Sequence, residues 1–259
     1  MMKMKQGIQL YTLRDQIQTA EDTDKTFAAL ADFGCRVIQI SGIGPIPPLE
    51  VQQLVEKYGF DVCITHKPFE RMLDDLDALV EEHKMIHCSN IGLGSMPGEY
   101  RESPEKVLEF VHLMQSIGEK MQKKGMQLAY HNHDFEFQKF PDGQRIIDIL
   151  LENTDPQTVN LIPDVAWIQY AGEDICAFLR SVRDRVQVVH MKDYVVTDGK
   201  RKFIEFGKGL VDFPKVYQTC AELGFAYAVY EQDCDWAESP MESCRYSFRK
   251  MLEMAAATD

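Results

Sequence analysis

The stretch AYHNHDFEF, residues 129–137, places two histidines, an aspartate and a glutamate directly after an apolar run. Imidazole and carboxylate side chains bind divalent metal ions and transfer protons, so the stretch raises the question of a metal or acid–base site. Taken alone it is weak evidence, because a single histidine after a strand is more often a cap, a loop hydrogen bond or a solvated residue. The question is whether other apolar runs end in the same way.

Four other apolar runs also end in ionisable side chains. They end in Thr65-His66-Lys67, in Asp164, in His190-Met191-Lys192-Asp193 and in Glu231-Gln232-Asp233. Of the seven histidines, four lie at such ends, and the other three, His83, His87 and His112, fall in helical segments with no predicted chemical role. The ends form one site only if the fold brings them together.

Short apolar runs alternate with helix-like segments along the whole chain. The eight runs are GIQLY from Gly7, RVIQI from Arg36, DVCIT from Asp61, SNIGLG from Ser89, MQLAY from Met126, VNLIP from Val159, VQVVH from Val186 and AYAVY from Ala226. Strands that alternate with helices favour parallel pairing, and eight units in 259 residues favour one (β/α)8 barrel, an α/β TIM barrel domain spanning residues 1–259. No GxGxxG follows the first run to indicate a dinucleotide site.

In such a barrel the carboxyl ends of the strands form the active-site face, so the ionisable residues are expected to converge. Convergent His, Asp and Glu side chains suit one divalent cation, with Mn²⁺, Co²⁺, Zn²⁺ and Mg²⁺ as candidates. The alternative is a metal-free acid/base pair, because burying Asp164 and Glu231 together without a metal would strongly raise the pKa of one of them.

Composition excludes several classes of partner. The formal charge of −13 argues against nucleic acid and anionic membranes. The N-terminal sequence has no apolar segment typical of a secretion signal, and no uncharged run approaches the length of a membrane span. Seven cysteines without CxxC spacing indicate reduced thiols. We therefore expect a cytoplasmic protein that acts on a small molecule. The sequence does not decide whether it forms a homo-oligomer.

The order of five motifs resembles the xylose-isomerase-like TIM barrels, the sugar phosphate isomerases/epimerases, and especially their inosose dehydratase branch. The motifs are YHNHDFEF, PDVAWIQYAGED, VVHMKDY, FGKGLVDF and YEQD. The resemblance implies one divalent metal held by Asp164, His190 and Glu231. Where much of the family has Glu-Asn-His, this chain has His131-Asn132-His133, so His131 either replaces the carboxylate or leaves three protein ligands.

The resemblance implies a metal-dependent isomerase or epimerase that acts on a keto-sugar, sugar phosphate or keto-cyclitol through an enediolate. Two departures from the family pattern favour a dehydratase or lyase instead: Trp167, where family isomerases often have a histidine, and His131. A catalytically silent sugar-binding barrel is the third alternative. The candidate catalytic residues are Glu231, Glu136, His133, Lys192 and His66. The few candidate phosphate-binding cations, Lys67, Lys192 and Lys208, favour an unphosphorylated substrate.

Overall fold

Eight parallel strands, one in each predicted apolar run, form a barrel in the computed structural model, which describes residues 3–258. The strands are β1 (Lys5–Gln9), β2 (Val37–Ile40), β3 (Asp61–His66), β4 (Asn90–Leu93), β5 (Gln127–His131), β6 (Val159–Ile162), β7 (Val188–Met191), β8 (Asp193–Thr197), β9 (Lys200–Ile204) and β10 (Tyr227–Tyr230). Of these, β8 and β9 form a separate hairpin. The predicted α/β TIM barrel is confirmed. Residues 1, 2 and 259 of the predicted domain lie outside the described part.

Neighbouring barrel strands follow one another around the sheet in the order β6-β5-β4-β3-β2-β1-β10-β7. The remaining gap, between β6 and β7, is bridged by a hydrogen bond from the His190 N–H to the Pro163 carbonyl oxygen, 2.8 Å long. Asp164 also lies beside His190 in a parallel bridge. The barrel is thereby nearly closed, and all eight carboxyl ends meet at one mouth.

Within the described residues 3–258, ten α-helices surround the barrel. They are α1 (Ala20–Asp32), α2 (Pro48–Tyr58), α3 (Phe69–Asp74), α4 (Leu76–Met85), α5 (Pro104–Gln122), α6 (Ile146–Glu152), α7 (Val165–Tyr170), α8 (Ile175–Ser181), α9 (Phe213–Leu223) and α10 (Pro240–Thr258). On α5 the buried residues Val107, Phe110, Val111 and Met114 follow the helical period, so one face packs on the strands. Within residues 3–258, no helix is long and apolar enough to cross a membrane.

The interior of the barrel has an apolar layer directly beneath the predicted site. Residues two positions before each inward-facing polar residue form one buried cluster, which contains Val37, Ile64, Ala129, Ile162, Val188 and Val229. The polar residues two positions further along the chain lie directly above this cluster, because side chains two apart on a strand point to the same face. They are Gln39, His66, His131, Asp164, His190 and Glu231. The polar layer therefore lies on a packed apolar base.

A β-hairpin, absent from the predicted elements, follows β7 directly. Strands β8 and β9 pair antiparallel across a turn at Asp198 and Gly199, whose φ angles are 53° and 71°. Such a pair of positive φ angles fits the tight turns that Asp-Gly favours in hairpins. The buried Asp193 carboxylate holds the hairpin base by accepting from the backbone N–H groups of Tyr194, Gly207, Gly209 and Val211.

Candidate metal centre

Four buried side chains bring their donor atoms together at the barrel mouth. His131, Asp164, His190 and Glu231 each offer one ligand atom, and these atoms lie within 4.8 Å of one another. His131 ends β5, Asp164 precedes α7, His190 lies in β7, and Glu231 directly follows β10. The predicted convergence of the three family positions with His131 is therefore present, and their role as ligands stays a prediction.

The tautomer of His131 is fixed by a backbone carbonyl. Its Nδ1 lies 3.1 Å from the Gly94 carbonyl oxygen, which only accepts, so Nδ1 carries the proton. The buried Nε2 has no hydrogen-bond partner in the described part of the chain and faces Asp164 Oδ2 at 3.5 Å and Glu231 Oε2 at 3.8 Å. Burial alone would lower the pKa of His131, but the two carboxylates raise it overall. The site thus favours a positive charge between these three atoms.

His190 lies between an amide and a carboxylate. Its Nε2 donates to Gln39 Oε1 at 2.7 Å, and its Nδ1 lies 3.0 Å from Glu231 Oε2. Burial lowers the pKa of His190, which favours the neutral ring, and a neutral imidazole can donate from one nitrogen only. With the proton on Nε2, the Nδ1 lone pair faces the carboxylate, an arrangement that a cation stabilises.

The two oxygens of Asp164 have different environments. Oδ1 caps α7 by accepting from the N–H groups of Ala166 and Trp167, at 3.0 and 3.2 Å. Oδ2 is buried without a hydrogen bond of good geometry, although Lys192 Nζ lies 3.2 Å away. Burial would raise the pKa of Asp164, but Lys192 and His131 hold it below its usual value. Oδ2 is therefore an anionic donor directed at the centre.

Lys192 is fully buried against three carboxylates. Its Nζ lies 2.9 Å from Glu231 Oε2 and 2.9 Å from Asp233 Oδ2, in addition to Asp164. Burial opposes its charge, but these carboxylates raise the pKa of Lys192 well above its usual value. The rings of Trp167 and Phe203 lie 5.4 and 5.0 Å from Nζ. The ammonium is thus held in place and shielded on one side by aromatic rings.

The residues present fit a divalent ion. Two imidazole nitrogens and two carboxylate oxygens form a common donor set. At His131 and Asp164 the donor atoms have no hydrogen bond within residues 3–258. The second nitrogen of each histidine is held by a carbonyl oxygen, as metal-binding histidines typically are. The cluster is compatible with one metal ion.

A cavity of about 850 Å³ opens beside the cluster at the barrel mouth. Of the predicted catalytic residues, His66, His133, Lys192 and Glu231 line it. His133 lies beyond the end of β5, but its ring still reaches the cavity beside His131, with ring centroids 4.8 Å apart. His66 lies 5.4 Å from His131 by the same measure.

Glu136 is placed away from this cavity. Its fully buried carboxylate accepts from the Tyr130 hydroxyl at 2.5 Å and from the His133 backbone N–H at 2.8 Å. Burial raises the pKa of Glu136 to about 7. The carboxylate therefore fixes the turn that carries His133, and contact with a substrate would require it to leave two hydrogen bonds.

The family model of the xylose isomerase-like TIM barrels matches residues 27–249. The chain belongs to this family. Two relatives are named inosose dehydratase. One, from Clostridium tetani (strain Massachusetts / E88), is 26% identical over 228 residues, covering 76% of this chain and 75% of the relative. The other, from Geobacillus kaustophilus (strain HTA426), is 24% identical over 273 residues, covering 89% and 85%.

A solved structure of a sugar phosphate isomerase/epimerase from Parabacteroides distasonis ATCC 8503 superposes on this chain with a TM-score of 0.80. It is 22% identical and covers all of this chain and 96% of its own. This similarity supports the xylose isomerase-like fold along the whole chain.

Two polar residues of this xylose isomerase-like site were not predicted from the sequence. Gln39 lies in the middle of β2 and reaches across the barrel to His190, and Arg14 follows β1 and lines the cavity. For Gln39 a signal was available, because a lone glutamine in the buried strand VIQI needs a polar partner. Arg14 lies in the short 3-10 helix Leu10–Gln16 and had no comparable signal, since a single arginine is normally exposed.

Substituting Gln39 by leucine is expected to weaken metal binding by about 10–100-fold, the usual effect of removing a partner that orients a metal-binding histidine. The His190 N–H would then lack its acceptor, and the ring could adopt the other tautomer. Competition titration with a chelating dye measures the affinity. Gln39→Glu keeps an acceptor and is expected to retain binding. Equal affinity in wild type and Gln39→Leu would contradict this role.

Proposed function

We propose that this xylose isomerase-like barrel is a metal-dependent enzyme that removes the proton next to the carbonyl of a keto-sugar or keto-cyclitol. The observation that carries the proposal is the meeting of four buried donors beside an open cavity. A divalent ion bound there would supply Lewis-acid stabilisation of developing oxyanion charge. The two imidazoles favour Mn²⁺, Co²⁺ or Zn²⁺ over Mg²⁺, which prefers oxygen ligands.

The candidate bases of the chain are His133 and His66. Both line the cavity, and His133 Nδ1 and His66 Nε2 are buried without hydrogen-bond partners among the residues that the structure describes. Burial lowers the pKa of His133 to about 2 and that of His66 well below its usual value, so both rings are neutral and have a lone pair. A neutral imidazole within reach of the substrate carbon has the lone pair that a base needs, but burial disfavours the imidazolium that proton transfer would form.

Lys192 is the proposed hydrogen-bond donor to the oxyanion. Its ammonium lines the cavity and is oriented by three carboxylates, so no reorganisation is needed when negative charge develops nearby. Glu231 is in contact with both His190 and Lys192, which supports a ligand role over a base role. Glu136 is better suited to position His133 than to reach the substrate.

Two outcomes follow from the shared proton removal. Reprotonation at the neighbouring carbon or on the opposite face gives an isomerase or epimerase, and loss of a β-hydroxyl gives a dehydratase. The relatives named inosose dehydratase favour the dehydratase as the second candidate. A silent sugar-binding barrel is disfavoured, because burying donors without hydrogen bonds costs stability and contributes nothing to binding a sugar by stacking.

The test is solvent exchange in deuterated water. With the metal-loaded protein, an active keto-sugar or keto-inositol is expected to gain deuterium at the carbon next to its carbonyl, which proton NMR detects. Substitution of the true base by alanine is expected to slow exchange by about 10²–10⁴-fold, the usual contribution of a general base. His133→Ala and His66→Ala test the two candidates, and the exposed His112 on α5 provides the control His112→Ala.

Glu136→Gln separates two roles for the buried carboxylate. If Glu136 positions His133, exchange is expected to fall only in part. Complete loss of exchange in Glu136→Gln with full exchange in both histidine variants would make Glu136 the base. Metal binding without exchange of any carbonyl compound would contradict the proposed function and favour a binding protein.

A further inference from the structure

The cavity at the barrel mouth contains a lysine whose ammonium has no partner among residues 3–258. Lys67 directly follows β3, is half-buried, and lines the cavity. Across the part of the chain that the structure describes, its ammonium makes no side-chain hydrogen bond or ion pair, and only its backbone N–H is bonded, to Gly92. Burial lowers the pKa of Lys67, so its surroundings disfavour the charge that they contain. An anion bound from solution would offset the free-energy cost of burying the Lys67 charge.

Arg14 presents a second uncompensated cation to the same cavity. Its guanidinium donates to the backbone carbonyls of Tyr11 and Asp233, at 2.9 and 3.0 Å, and lies 4.6 Å from the centroid of the Tyr11 ring. Carbonyl oxygens fix the planar group but do not neutralise it. The guanidinium is therefore oriented while its charge remains available.

The other cations of the cavity are neutralised by the protein. Arg71 makes paired contacts with Glu82 at 2.9 and 3.0 Å and a further one with Asp75 at 3.0 Å. Lys192 is in contact with three carboxylates. Among residues 3–258, Lys67 and Arg14 thus line the cavity without a carboxylate partner. Two of the carboxylates in the lining, Glu231 and Asp233, are paired with Lys192, and the third, Glu70, is exposed. The two cations without carboxylate partners attract anions.

We infer that Lys67 and Arg14 form an anion subsite that binds a carboxylate or phosphate group of the substrate, whose carbonyl end lies at the metal centre. Lysine binds such groups as a point charge and arginine as a planar donor pair. The cavity volume of about 850 Å³ accommodates a small sugar acid or sugar phosphate. The inference deepens the proposed function and rests on it for the identity of the reacting end.

This inference departs from the sequence-based expectation of an unphosphorylated substrate. The candidate phosphate-binding cations named from the sequence included Lys208 and did not include Arg14. Lys208 lines a separate cavity, where it pairs with Glu205 at 3.3 Å and lies 4.1 Å from the centroid of the Tyr246 ring. The cations that face the reaction cavity are thus a different set from those expected.

The test is calorimetric titration of the purified full-length protein with inorganic phosphate, with gluconate, and with neutral glucitol as the control. We expect saturable binding of at least one anion and none of glucitol. Lys67→Met is expected to weaken anion binding by about tenfold or more, the effect of losing one charge-assisted hydrogen bond. Arg14→Gln is the second variant. Lys120→Met, which removes an exposed lysine of α5, is the matched control.

Repeating the titration after chelator treatment excludes binding of the anion to a metal ion as the source of the signal. Preference for phosphate or for gluconate identifies the group, and either preference supports the subsite. Absence of saturable anion binding, or equal affinity in wild type and Lys67→Met, overturns it. Deuterium exchange of neutral ketones without anion binding would refute the subsite and leave the proposed function standing. Anion binding that is lost in Lys67→Met, without deuterium exchange of any ketone, would support the subsite and contradict the proposed function.

Discussion

Replacing His131 by alanine is expected to lower the affinity for a divalent metal by more than about a hundredfold, beyond the range for partners that only orient a ligand. The His131 Nε2 faces Asp164 and Glu231. Because the Gly94 carbonyl oxygen holds the proton on Nδ1, the lone pair of Nε2 is free to bind a metal ion. Alanine leaves the two carboxylates and His190, so the site would lose one of two nitrogen donors. Elemental analysis after gel filtration and a competition titration measure the loss.

The matched control for His131→Ala is His112→Ala, because His112 is an exposed histidine of α5 far from the mouth in the chain's architecture. His112→Ala is expected to retain full metal content. Unchanged affinity in His131→Ala would mean that the protein supplies three ligands only. Loss of affinity in His133→Ala, with none in His131→Ala, would move the fourth ligand to His133.

Replacing Lys192 by methionine is expected to lower the free energy of unfolding by about 3–5 kcal/mol at neutral pH, the usual cost of leaving buried charge without its partner. Lys192 is in contact with Asp164, Glu231 and Asp233, and methionine keeps much of its volume without its charge. Urea unfolding of chelator-treated protein measures the change. Because a divalent cation would occupy the same carboxylates, adding Zn²⁺ or Mn²⁺ is expected to restore part of the lost stability.

Lys25→Met serves as the control for charge removal itself. Lys25 pairs with Glu21 at 2.7 Å on the surface of α1, where both side chains are exposed to water. Exposed pairs contribute little, so the unfolding midpoint is expected to stay unchanged. If Lys192→Met behaved like Lys25→Met, the three carboxylates would have to be neutralised by something other than Lys192.

The sequence by itself determined the fold and the convergence of the donors. Each of the eight barrel strands overlaps one of the predicted apolar runs, because hydrophobic runs and helical periods are local patterns. Parallel strands around one barrel place their carboxyl ends at one mouth, so His131, Asp164, His190 and Glu231 meet as expected. The β8–β9 hairpin was missed although Asp198-Gly199 signals a tight turn, because the residues from His190 to Asp193 were interpreted only as the end of the strand that begins at Val186.

Only the tertiary structure decided how deeply each polar side chain lies and what it contacts. Glu136 lies within the motif YHNHDFEF, yet Tyr130 and the His133 N–H hold its carboxylate beneath the surface. Gln39 is 151 positions from His190 in sequence and contacts it across the barrel. Such contacts depend on strand register and side-chain direction around a closed sheet, which no local pattern in one chain specifies.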